Sequence, residues 1–460
     1  MLANLDLKSN WLILIAMVVL IIVVTGALTF YFMQEDVFRI DPEVQLQPER
    51  EYQLTYWDYP LFIGQEEEYT EFLEEAIADF NDMYPNIKVD YEILSFLEGE
   101  SRLQERLKEG NPPDIYNDIF GSKFFSEELQ IPVNIYFAEG DLGDYNQAAI
   151  KSFYADQRVW GLPNWVLPQV WVGNKSLLTE ADLDLNEIQT VGWDWQQFSE
   201  VAQQINDLGR DNSIIFNPHN SQLLFHLLSQ QGREQFLCQE EGLLLEAEEL
   251  KLAFQFLREL QEKQVFPEST QEMNKQLLPD FWQGQAGVIA PINMWLLNNF
   301  YQREAEQQRV DLTLIPPPGI EQQEQLPLEV GGLVLFRQQE YQGHEHSKAT
   351  YKFAEFINRQ KNLFLAEKLK VVPAYLPLQS LWAQEVDLRS EIKEDILSYA
   401  QRGTPKQLDS FASLAVQRQI EELLAQAYQD FWLTEKSIAE IVNEVMTESQ
   451  QLVAAQREEE

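Results

Sequence analysis

With 75 acidic against 33 basic residues in 460, the chain carries a formal net charge of −42. Such a surface repels both phosphate backbones and anionic lipid heads, which excludes nucleic-acid binding and stable adsorption to a charged bilayer. Hydrophobic residues make up 45%, ample for a packed core, and a body of this length exceeds the ~250–300 residues one core sustains, so at least two lobes are expected.

Taken in chain order, Met1 to Asn10 is a short polar start, and Trp11 to Met33 follows without a charged residue. At 1.5 Å of rise per residue that run reaches ~34 Å, enough to cross a hydrocarbon core of ~30 Å. A cleavable signal peptide is the competing reading, but its apolar region is usually ~7–15 residues, and Thr25 and Ala27 make a poor cleavage site. No cysteine lies near the end of the run, so a lipid-modified N-terminus is not expected. Lys8 before the span and Glu35 and Asp36 after it place residues 1–10 in the cytoplasm and the body outside. Residues 34–50, with Pro42 and Pro48, read as a linker.

From Tyr52 to Phe62 the sequence reads as a strand running into an aromatic loop. Tyr69, Phe72, Leu73, Ala76, Ile77 and Phe80 recur at spacings of three and four, which predicts a helix over 66–83 closed by Pro85. A strand over 87–94, a helix near 100–108 and a strand in GNPPDIYNDIF complete parallel β/α units. The middle is mainly helical, over 194–208, 221–237 and 246–263. Strand character returns at 286–297, 310–318 and 329–336, and from Ser347 onward the chain is again helical, its last helix near 435–456.

Chemistry has few candidates. Cys238 is the single cysteine, read as a small hydrophobe on a helix, so no intramolecular disulfide is possible. His344 and His346 form an H-x-H pair without further ligands, and no metal or other cofactor is expected. Acidic pairs such as Glu240 and Glu241 are too common in this chain to mark a glycosidase dyad, and no hydrolase or phosphate-loop motif is present. Nothing points to an enzyme.

The order of several motifs is more telling. AIADFNDMYPNIKVDYEIL, EGNPPDIYND, VWGLPNWVLPQVWVGNKSLL, WDWQQFSEVAQQI, FWQGQAGVIAPINMW and KATYKFAEFIN followed by VVPAYLP occur in that sequence from Leu54 to about Val453. Together they resemble the maltose-binding-protein-like extracellular solute-binding proteins of family 1, which serve ABC sugar importers. Gly173 stands where the family usually has tyrosine, and Asn293 where it has glycine.

That resemblance implies an α/β, two-lobe, type II periplasmic-binding-protein-like fold behind the N-terminal transmembrane helix. The lobes it implies are residues 51–163 with 286–318, and residues 164–285 with 329–460. The chain would cross between them near Pro163, near Pro316 to Glu329 and soon after Gly332. The expected function is capture of a carbohydrate between the lobes and delivery to the transmembrane subunits of an ABC permease, by a monomer held on the outer face of the cell membrane. The alternatives are a ligand-sensing partner of a membrane receptor and a binder of a non-sugar solute. Sugars present apolar C–H faces ringed by hydroxyls, which suits aromatic platforms beside carboxylates and amides. On that ground Trp57, Asp58 and Tyr59 after the first strand, Asn117 and Asp118 after the PPDI strand, Trp165, and Tyr375 are candidate ligand contacts, as is Trp295 at the position resembling the family's sugar-stacking aromatic. Trp171, Trp193, Trp195, Trp282 and Trp432 are expected to be packing residues.

Overall fold

The computed structural model describes residues 40–60, 66–119, 121–138, 140–210, 212–216, 220–233, 235–238, 242–265, 279, 281–291, 297, 299–300, 310–321, 326–407 and 410–459. The expected membrane span and Trp295 lie outside them, and among the described residues no helix is long and apolar enough to cross a membrane.

The first strand, Tyr52–Asp58, buries Tyr52, Leu54 and Tyr56 while Gln53 and Thr55 stay exposed, the alternation a pleated strand imposes. The helix that follows, Glu66–Met83, turns Tyr69, Leu73, Ala76, Ile77 and Phe80 onto that sheet, as their spacing dictates. It returns the chain to Ile87–Ile93, parallel to the first strand, with Tyr52 opposite Ile87 and Asp58 opposite Ile93. Ile115–Asp118 pairs in parallel on the other side. Beyond this β/α portion the pairing turns antiparallel. Pro327–Phe336 lies against Ile115–Asp118 and against Leu162–Pro168, which in turn pairs with Val372–Pro373. Thr404–Pro405 and Gln130–Ile131 join the Pro327–Phe336 strand to complete eight strands.

A second, four-stranded sheet runs in the order Leu312–Ile315, Trp171–Asn174, Ala286–Ile289, Asn212–Ile215. The helices Trp195–Asp207, Ala247–Glu262, Leu414–Leu433 and Ile438–Glu459 share an apolar core with one of its faces. Phe281, Trp282 and the helix Ser390–Arg402 pack on the other.

Sheet membership departs from the expected lobes. Ala286–Ile289 and Leu312–Ile315, assigned to the first lobe, pair with Trp171–Asn174 in the second sheet. Pro327–Phe336 and Val372–Pro373, assigned to the second, belong to the first sheet. Three of the four are runs of two to four residues and the ten of Pro327–Phe336 are mostly apolar; such runs carry no mark of their partner, and only long-range register decides it. The chain crosses between sheets at 169–170 and 316–326, and again after Thr404–Pro405 rather than just after Gly332. Two elements are shorter than expected. The helix over 221–237 ends at Ser229, beyond which Gly232 has φ +84°, so Cys238 sits on the short strand Leu237–Cys238 and not on a helix. The strand over 286–297 stops at Ile289, because Pro291 brings no donor to a ladder.

The helix His344–Leu369 packs across the first sheet through Ala349, Phe353, Ile357, Lys361 and Leu365, each four residues after the last and all buried. A lysine thus stands in an apolar stripe. Its Nζ donates to both carboxylate oxygens of Asp58, at 2.9 and 2.7 Å, and neither residue is exposed. Asp58 also accepts from Tyr69 Oη (2.5 Å), Asn117 Nδ2 (2.5 Å), the Tyr59 amide (2.8 Å) and Tyr56 Oη. Burial pulls Lys361 below the usual lysine range, with Asp58 opposing, and holds Tyr56 and Tyr69 in their neutral, donating forms.

Removing one member of a buried pair leaves the other charge uncompensated. Lys361→Met and Asp58→Asn should therefore each cost about 3–5 kcal/mol in urea unfolding, and the double variant less than their sum. Additive losses would show that the two side chains act independently.

Candidate ligand-binding site

Between the two sheets, beyond the carboxyl end of Ile115–Asp118, lies a cavity of about 450 Å³. This is where open α/β sheets place ligands, and the volume suits a small molecule. Gly121 and Lys123 on the loop after that strand, with Leu328 and Glu329 at the start of a neighbouring one, form the first wall. Phe225, His226, Ser229 and Phe236 come from the second unit, and Gln169 sits at the crossing. A second cavity of about 450 Å³ shares Gly121, Lys123, Phe225, Lys406 and Glu421 with it, so the two form one groove.

Local hydrogen bonds build the first wall. The Asp118 carboxylate accepts from the backbone amides of Ser122 (3.2 Å) and Lys123 (2.7 Å), drawing the loop into a tight turn. Gly121 there has φ +72° and Lys123 φ +57°. For lysine that left-handed conformation is uncommon, and here the two bonds to Asp118 hold it. The turn carries the Lys123 ammonium inward, where it donates to Gly121 O at 3.2 Å and is buried. Burial pushes Lys123 down to about 8 against the attraction of Asp118. Burial likewise raises Glu329, opposed by Lys123 and by a 2.8 Å hydrogen bond from Gln169 Nε2. Lys406 pairs with Glu421 at 2.5 Å, and Arg233 with Glu249 at 2.7 Å. In a strongly acidic chain, this groove is therefore lined by cations and carboxylates in near balance, interspersed with the amides of Gln169, Asn220 and Gln222. Such walls suit a neutral, hydrogen-bonding ligand better than a highly charged one.

The opposite wall is the helix Gln222–Ser229. Its Phe225 is half-buried and lines both cavities, which makes it the aromatic face available to a ligand. His226 Nδ1 accepts from Trp171 Nε1 at 3.1 Å, while His226 Nε2 and Ser229 Oγ are buried without a partner among the described residues. A polar group left in that state costs about 1–3 kcal/mol.

Of the eight expected contacts, the seven that are described do not line this groove. Asp58 and Asn117 belong to the buried network around Lys361. Tyr59 is buried, stacked on Phe96 at 5.7 Å and bonded to Tyr116 Oη at 2.8 Å. Trp57 lies beneath the Arg102 guanidinium, 4.9 Å from its ring. Trp165 packs so closely on Gly331 that a Cβ there would stand 2.4 Å from Trp165 Cε2, which explains a glycine in that strand. Tyr375 caps the helix Leu376–Glu385, against Tyr145 and under Arg359. Asp118 alone among them acts on the groove, indirectly, by fixing the Lys123 turn. Trp295 lies four positions beyond Pro291, a lining residue, but outside the described residues.

The missed residues gave faint signals. Lys123 follows the turn pair Gly121–Ser122, and His226 is a lone imidazole in an apolar helix. Elsewhere Trp171, Trp193 and Trp282 are buried, while Trp195 and Trp432 are half-buried against the second core. His346 Nε2 is 2.7 Å from Asp114, and among the described residues no cluster could hold a metal ion.

A family model for bacterial extracellular solute-binding proteins matches residues 64–361, more than half of the chain. The chain belongs to that family. An arabinooligosaccharide-binding protein of Halalkalibacterium halodurans is 26% identical over 216 residues, a match covering 45% of either chain and so under half the length of that relative. The solute-binding protein also resembles solved structures. The sugar-binding protein MalE from Xanthomonas citri superposes with a TM-score of 0.70 at 16% identity, over 88% of this chain and 98% of that one. An ABC substrate-binding protein from Listeria monocytogenes, in complex with cycloalternan, gives 0.65 at 15%, over 87% and 98%. At such identities the likeness is one of fold.

Lys123 holds its proton less tightly in the folded protein, near 8, than in the unfolded chain, near 10.5. Between those values the unfolded chain binds more protons, so folding strengthens as pH rises through that window. Relative to Lys123→Met, the native protein should gain about 3 kcal/mol of stability between pH ~7.5 and pH ~10.5. Parallel stability–pH curves for the two proteins would show that this ammonium is not desolvated.

Proposed function

We propose that this solute-binding protein captures a carbohydrate, an oligosaccharide or a sugar derivative, outside the cytoplasm and hands it unaltered to the membrane subunits of an ABC importer. The observation that carries this reading is a groove whose walls come from two separately built units, with crossing segments beside it. A ligand that touches both walls favours the closed arrangement, and a permease can then distinguish loaded from empty protein. Balanced charges, amides and the face of Phe225 are the groups a ring of hydroxyls with apolar C–H faces requires. The oligosaccharide ligands named for the Halalkalibacterium relative and the Listeria structure support the same class. In this reading Trp295 is the principal stacking aromatic and Phe225 its counterpart, while Asp118 acts through the Lys123 turn. Trp11 to Met33 is the proposed tether, leaving a monomeric body outside the membrane.

Isothermal titration of the full-length protein with arabino- and malto-oligosaccharides should find a binder, with quenching of tryptophan fluorescence. Phe225→Ala and Trp295→Ala should each raise its Kd at least ~5-fold, the worth of one lost aromatic contact. A panel without heat or thermal shift would remove the carbohydrate while leaving family and fold in place. Deleting residues 11–33 should release the protein from cells with an unchanged Kd; equal surface retention would show that the tether lies elsewhere.

A further inference from the structure

We infer that His226 and Ser229 form a polar pair that grips adjacent oxygens of the ligand, His226 through an Nε2–H donor and Ser229 through its hydroxyl. The inference rests on the carbohydrate reading and names the groups that would meet the sugar on the second unit's wall. Both residues lie on the helix Gln222–Ser229, three positions apart, and so share one face, and both line the cavity.

Trp171 decides which way the histidine is polarised. An indole N–H can only donate, and Trp171 Nε1 points at His226 Nδ1 over 3.1 Å, so Nδ1 must offer its lone pair. The proton of the neutral ring is thereby assigned to Nε2. The ring does stay neutral, since burial pushes His226 down to about 3 with no carboxylate opposing it. His226 is 1% exposed, and its Nε2 meets no acceptor among the described residues. Packing beside Trp171 accounts for Nδ1 alone and leaves the Nε2–H unanswered.

Ser229 repeats the pattern. A helical serine ordinarily turns its hydroxyl back to the carbonyl four residues earlier. At 4% exposure Ser229 Oγ makes neither that bond nor any other among the described residues. Two buried, unpartnered polar atoms on one face of one helix, both on residues of a cavity wall, mark a place where an incoming ligand completes the hydrogen bonding. A fixed N–H donor beside a hydroxyl that can both donate and accept fits vicinal hydroxyls, or a hydroxyl next to a ring or bridging oxygen.

The test separates a binding role from a packing role by reading affinity and stability together. In the ligand-free full-length protein at neutral pH, 15N-histidine NMR should show His226 as the Nε2–H tautomer. An Nδ1–H or doubly protonated ring would overturn the inference whatever the ligand. With the best-binding oligosaccharide, Ser229→Ala should raise Kd about five- to ten-fold while leaving the ligand-free Tm unchanged or higher, because it removes an unsatisfied hydroxyl. His226→Phe should raise Kd at least ten-fold, with some loss of Tm from the stranded Trp171 donor. A lower Tm with unchanged Kd in Ser229→Ala would assign these residues to packing. If no oligosaccharide binds the native protein, the carbohydrate reading itself falls, a result distinct from tight binding that both variants preserve.

Discussion

The Asp58–Lys361 ion pair is the constraint on which the first unit depends. A carboxylate and an ammonium that are both fully buried cannot persist unless every lone pair and proton finds a partner. Here the first strand supplies Asp58 and Tyr56, the first helix Tyr69, the third strand Asn117 and the long helix Lys361. Four elements are thereby held to within hydrogen-bond tolerance of one another. Asn117 is the residue before Asp118, whose carboxylate draws the Lys123 turn into the groove, so the position of the first wall follows from the buried pair through the Asn117–Asp58 hydrogen bond and one peptide unit. The second wall has an analogous, smaller anchor, where the indole of Trp171 ties the strand Trp171–Asn174 to the helix that carries Phe225 and His226.

The groove between those walls differs in kind from the rest of the surface. Over the whole molecule acidic groups outnumber basic ones by more than two to one, which favours hydration and keeps copies apart. In the groove Glu329 faces an amide and Glu421 a cation, and the charges that are out of water shift toward neutrality. A site of this sort offers many directional hydrogen bonds with little net field. It would select by the placement of oxygens rather than by charge.

Much of the architecture was readable in the sequence. The 3.6-residue period of Glu66–Met83, Trp195–Asp207 and Ala247–Glu262 marked those helices closely, with Asp194 at the expected cap of the second. Sheet membership was not readable, because Ala286–Ile289 and Pro327–Phe336 look alike as apolar runs and differ only in distant partners. The candidate groove is legible in the sequence by its neighbourhood and not by its lining residues. The rule that ligands gather beyond the carboxyl ends of strands points to the loop after Ile115–Asp118 that lines the groove, while the tryptophans and acids at those strand ends lie behind it. Trp165 proved to be a core residue seated on Gly331, and Asp58 a charge already answered from the far end of the chain. Lys361 could have warned of this, since a lysine at the i+4 register of an apolar helical stripe demands a buried acid somewhere. Phe225 and His226 were hidden by the opposite disguise, inside a helix that reads as plain core.

The distance along the chain between Asp58 and Lys361 has a consequence for how the protein is made. The two are 303 positions apart, with the whole second sheet encoded between them. At ribosomal rates of ~5–20 residues per second, Asp58 emerges about 15–60 s before its counter-ion exists. Through that interval a carboxylate destined for a dry interior has only water to solvate it, so the first strand and its helix cannot reach their final packing. The strands of the second sheet all lie between residues 171 and 315 and can pair meanwhile, but the helices Leu414–Leu433 and Ile438–Glu459 of their core emerge later still. Both units are thus expected to complete their packing only when the C-terminal helices close over them.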